Sequence, residues 1–155
     1  KDLIMGTYWS NPVRHPEDTG MQYVRRTVTF NMTDTGNLAI GTSPGIPIGA
    51  LEAGAIPLYC HVTIETAFNA GTTNVFVVGT VDDDDGFATS AATISGTTGF
   101  KGGLTGAQTG IPLAADKVVY VKYTQTGTAA TTGKAEVVLE FAVKRENIGI
   151  PFPNN

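Results

Sequence analysis

Four consecutive carboxylates, Asp82, Asp83, Asp84 and Asp85, followed by Gly86, are the densest chemistry in this chain. Clustered carboxylates beside a glycine can wrap a hard cation such as Ca²⁺, which takes six to eight oxygen ligands. An EF-hand loop needs acidic or amide groups at alternate positions and a glutamate at its twelfth. Aligned on Gly86, the first ligand position is Val81 and the twelfth is Ala92, so that pattern fails at both ends. The reading is a solvated acidic loop that keeps the end of an apolar strand soluble, with no metal. A Ca²⁺ site there is the alternative.

The remaining candidates are sparse. His15 and His61 are the two histidines and Cys60 the one cysteine. Cys60 and His61 are neighbours on a strand, where successive side chains point to opposite faces, so they cannot form a dyad. Cys60 falls on the apolar face and reads as a buried thiol, because a nucleophilic thiolate needs an exposed, electropositive setting. No G-x-S-x-G elbow anchors a serine triad. Glu65, Glu136 and Glu140 could supply paired carboxylates, but they sit on the polar faces of strands. The segment GFKGGLTG (99–106) lacks the G-K-[ST] of a phosphate loop and reads as flexible. Tyr59, Tyr120 and Tyr123 could form a sugar-stacking platform, or be ordinary strand residues. No catalytic residue, cofactor or metal is expected, and the chain is not read as an enzyme.

The elements that would position these groups are strands. Residues 22–32 alternate, with Val24, Val28, Phe30 and Met32 on one face and Arg26 as the exception on it. In 55–65, Leu58, Cys60, Val62 and Ile64 face inward. Segments 73–80, 117–124 and 134–144 continue the pattern, the last with Val137, Leu139 and Phe141 inward. Period two with frequent turn signals predicts an all-β domain. The closure expected is an antiparallel two-sheet sandwich, a jelly roll being one form of it. Residues 33–54 read as a long connection, and 90–110 as loop with one weak strand around Thr93 and Ile94.

Composition agrees. The chain has 155 residues, enough for one domain with a real core. Only 15% are charged, against the ~25% of an average soluble chain, and there are 19 glycines. The net charge of −4 and the lack of a basic stripe argue against nucleic acid. No apolar run approaches the ~20 residues of a membrane span. One cysteine excludes an intrachain disulfide, and nothing at the N-terminus reads as a signal peptide, so synthesis in a cytoplasm is expected. The organisation expected is an N-terminal arm (1–20), a sandwich domain (21–146) and an extended tail (147–155). Tyr8, Trp9, Ile148, Ile150 and Phe152 lie in the irregular ends and are the expected protein-contact residues.

Five short pieces carry a family resemblance: Gly54-Ala55-Ile56, Ala67-Phe68-Asn69, Val78-Gly79-Thr80, Asp85-Gly86-Phe87 and Thr132-Gly133-Lys134-Ala135. In that order they resemble a pattern in small structural proteins of tailed bacteriophages, head decoration or cement proteins first and tail or fibre components second. The resemblance spans roughly residues 50–145. It implies a virion protein on the capsid exterior, made in the bacterial host cytoplasm, with the major capsid protein and further copies of itself (a homotrimer or homodimer) as partners. The alternative it implies is a receptor- or carbohydrate-binding sandwich module of a tail or fibre.

Overall fold

A computed structural model describes residues 21–34, 39–102 and 106–143. The expected contact residues Tyr8, Trp9, Ile148, Ile150 and Phe152 therefore lie outside the described residues. Among the described residues seven strands and one short helix follow one another: β1 (Met21–Thr29), β2 (Ile46–Leu51), β3 (Ile56–Thr66), β4 (Thr73–Gly79), α1 (Ser90–Thr93), β5 (Gly99–Lys101), β6 (Lys117–Thr126) and β7 (Lys134–Ala142).

The strands form two antiparallel sheets, ordered β1-β7-β3-β5 and β2-β6-β4. Successive strands alternate between the sheets. First pairs with seventh, second with sixth and third with fifth, as in one long hairpin. Rolling that hairpin up lets β7 also pair with β3, and β6 with β4. This is the expected all-β sandwich.

Alternation decides which side chains meet between the sheets. Val28, Val62, Ile64, Val137 and Leu139 from one sheet face Ile46, Phe76, Val78, Val119 and Val121 from the other, all buried. Burying each side chain of this size contributes roughly 1.5–3 kcal/mol. Phe68 packs its ring against Tyr123 (4.5 Å between centroids) and Phe76 (5.4 Å). The sheets also touch where Gly49 meets Val24: a Cβ on Gly49 would lie 2.4 Å from Val24 Cγ1.

Three expectations need correction. Residues 33–54 are not all connection, since 46–51 form β2. Its alternation is hidden by Pro47 and by a bulge between Pro47 and Gly49. Leu58 is not an inward core residue but half-buried. A bulge between Pro57 and Tyr59 inserts it as an extra residue, and Pro57 takes the buried place. The weak strand around Thr93 and Ile94 is instead one helical turn, capped by Thr89 and ended by Ile94 in the left-handed region (φ 42°). The neighbouring Gly-rich stretch holds the short strand β5.

That helical turn solves an edge problem. On its outer side β4 would present unpaired carbonyls, a template for pairing with another chain. Residues 87–95 take them instead. The carbonyl of Asn74 accepts from Ser95 Oγ (2.9 Å), and that of Phe76 from Thr93 Oγ1 (2.8 Å). The carbonyl of Val78 accepts from the backbone of Phe87 and Ala88 (both 2.9 Å). Thr93 and Ser95 are polar yet buried, and these bonds are the reason. The exceptional Arg26 is also explained. It lies at the margin of the core, donating to the Pro47 carbonyl on β2 and to Asp34 Oδ1 (3.2 Å), and so ties the sheets together.

Candidate functional site

The sites suggested by chemistry disperse. Tyr59 lies on the outer face of the four-stranded sheet, Tyr120 on the outer face of the other, and Tyr123 in the core. They form no common platform. Tyr123 instead donates to Asn74 Oδ1 (2.6 Å), and burial raises its phenol pKa. Cys60 is buried, and burial pushes its thiol up to about 12, so it is held as an inert thiol. His61 points the other way.

The acidic loop is engaged in holding the fold. Asp82 pairs with Lys117 and Asp84 with Lys122, both lysines on β6. The Asp83 carbonyl accepts from the Thr80 N–H (2.7 Å) and the Gly86 N–H (3.3 Å), closing the turn. Burial raises the pKa of the Asp83 carboxyl, helped by a hydrogen bond with Asp85 and its negative charge. Two of the four carboxylates are thus lysine-paired rather than simply solvated. Among the described residues no group of three or more His, Cys, Asp or Glu is placed to hold a metal ion.

Four of the five pieces that carried the family resemblance meet in two pairs. Phe68 lies on Gly133, where a Cβ would be 2.4 Å from Phe68 Cδ1, and Asn69 bonds the backbone of Thr131 and Thr132. Gly79 lies on the acidic turn, where a Cβ would come within 2.1 Å of the Asp83 carbonyl oxygen, and Phe87 bonds back to Val78. Their role is to join the strands, and none of these contacts carries chemistry.

What stands out is the outer face of the four-stranded sheet. Tyr23, Tyr59 and Phe100 are 67%, 55% and 65% exposed. Register places Tyr23, Glu140 and Tyr59 in one row and Arg25, Val138 and His61 in the next. Phe100 of β5 stands opposite Thr63. The His61 ring stacks between Tyr59 (centroids 6.1 Å apart) and Phe100 (5.4 Å). Phe100 in turn lies over Gly102, whose missing Cβ would sit 2.5 Å from Phe100 Cε1. His61 Nε2 is 3.8 Å from Glu140 Oε1, and its Nδ1 is buried without a hydrogen-bond partner. Arg25–Glu136 and Lys134–Glu65 ion pairs flank the row. An apolar aromatic centre with a charged margin is the anatomy of a protein-contact surface. Sequence reasoning placed Tyr59 and His61 on this polar face, but it missed Phe100.

The same corner of this sheet carries both ends of the described chain. Met21 and Ala142 are register partners, so positions 21 and 142 lie side by side.

No protein-family model and no curated protein matches the chain. Solved structures do. A chain of the cyanophage Pam1 capsid asymmetric unit superposes with a TM-score of 0.59 at 16% identity, over 80% of this chain and 85% of that one. A chain of the Ralstonia phage GP4 capsid gives 0.52 at 17% identity, over 81% and 86%. The chain shares a fold found in phage capsids. At these identities the likeness is one of fold. The shared fold takes in most of the described sandwich.

Proposed function

We propose that this chain is a virion structural protein, a cement or decoration protein on the outside of a phage head that stabilises the shell through protein contacts. The observation that carries the reading is the fold shared with capsid chains over about four-fifths of the sequence. The sandwich is read as a jelly roll of seven strands, with residues 87–95 covering the edge where an eighth would pair. Its partners are the major capsid protein and further copies of itself, as a trimer or dimer. The two ends leaving one corner suit arms that reach neighbouring subunits. Residues 1–20 and 147–155, with Tyr8, Trp9, Ile148, Ile150 and Phe152, are read as these arms. A net charge of −4 suits the outer surface better than one facing DNA. No catalytic residue is assigned.

Electron microscopy of purified particles, with the chain tagged, tests this reading. Density for the sandwich on the outer shell supports it, and particles without the chain overturn it.

A second reading, a receptor- or carbohydrate-binding module of a tail or fibre, is favoured by exposed Tyr59 and Phe100 flanking His61. A glycan array separates the two: specific retention of a glycan, lost on Tyr59→Ala, favours the second.

A further inference from the structure

We propose that the apolar C-terminal segment of one copy, carrying Ile148, Ile150 and Phe152, lies across the Tyr59–His61–Phe100 row on a second copy. This contact rests on the reading of the chain as an assembling structural protein and names the surface that receives one of its arms.

Three observations converge. The first is spacing. Ile148, Ile150 and Phe152 alternate with Gly149 and Pro151, so an extended chain presents them on one side in steps of about 6.5 Å. The receiving rings are spaced 6.1 and 5.4 Å apart. Pro151 lacks an N–H, which suits docking through side chains rather than through a sheet ladder. The second is charge. Lys144 and Arg145 precede the apolar residues. Glu140, beside Tyr59, has only His61 as an ion-pair partner among the described residues, whereas Glu136 and Glu65 already have Arg25 and Lys134. The third is reach. Residue 152 lies nine positions beyond 143, up to about 30 Å of extended chain. To cover its own row the tail must reverse at once, because Ala142 stands opposite Ile56, only three residues before Tyr59. Lys144, Arg145 and Glu146 include no glycine or proline to turn there. Carried onward, the segment meets a neighbour, and reciprocal exchange then covers the aromatic row on both copies.

Complementation between two full-length variants tests this. Phe100→Ser damages the receiving row and keeps the tail; Phe152→Ser damages the tail and keeps the row. Phe100 is exposed, so the fold should survive, as circular dichroism will show. By sedimentation equilibrium each variant alone should self-associate at least tenfold more weakly than the parent chain. Mixing the two should restore association, because the intact tail of one meets the intact row of the other. Unchanged self-association of either variant overturns the proposal. Losses that mixing does not restore overturn it too, since they place each tail on its own sheet. Incorporation into particles is read separately: a chain that decorates heads but fails the complementation loses this contact and keeps the structural role.

Discussion

The side-chain amide of Asn69 grips Thr131, donating to its Oγ1 at 3.0 Å and accepting from its backbone N–H at 2.8 Å. These residues are 62 positions apart, and the grip fixes the loop before β7 onto the connection that follows β3. Beside it, Gly133 at φ 150° lets the backbone pass under the Phe68 ring. Asn69→Ala should cost about 1 kcal/mol, the net worth of such bonds at an exposed site. Gly133→Ala should cost more, about 2 kcal/mol, because a methyl group must displace a core ring. Urea denaturation of both variants checks the order; a harmless Gly133→Ala would contradict a tight joint between Phe68 and Gly133.

Leu139 sits on the central strand β7 with no exposed surface. Leu139→Ala should destabilise by about 2–5 kcal/mol, through lost transfer energy and the cavity left behind. A loss under about half a kcal/mol would mean the inward face is wrongly assigned.

The strands legible in the sequence are those whose alternation runs unbroken, such as β6 and β7. β2 escaped because Pro47, Gly49 and a bulge break the period within six residues. Leu58 was misplaced for the same reason, since an inserted residue shifts the phase upstream of Cys60. β5 has three residues, starts on Gly99 and is followed by Gly102, and carries no period at all. Two of the three rings of the aromatic row, Tyr59 and His61, were visible on a polar face. Phe100 was not, because only the long-range pairing of Thr63 with Phe100 brings it there.

The acidic loop should respond to pH and not to chelation. Asp82 and Asp84 already have lysine partners, so EDTA should leave the melting temperature unchanged. A fall of ten degrees or so would restore the Ca²⁺ reading. The raised pKa of Asp83 means the folded state holds that proton more tightly than the unfolded chain. Its favourable contribution is present below the unfolded value and lost as pH rises through the folded one. At pH 7 Asp83→Asn should therefore be at least as stable as the parent, with the difference disappearing in acid. A variant that is clearly less stable at pH 7 and recovers in acid would reverse the sign.

Cys60 should ignore a thiol reagent in the native protein and react fully once unfolded, because it is buried and its pKa is pushed up to about 12. Rapid native labelling would place it at the surface.

The central claim is that a self-sufficient sandwich carries ends that dock on a shell. It is tested most directly by comparing the full chain with residues 21–146 for co-sedimentation with phage heads stripped of this protein. The prediction is that the shortened chain keeps its β-type circular dichroism and loses most of the binding shown by the full chain. Undiminished binding by the shortened chain, or its unfolding, would contradict the account, the first by removing the arms from the contact and the second by returning them to the core.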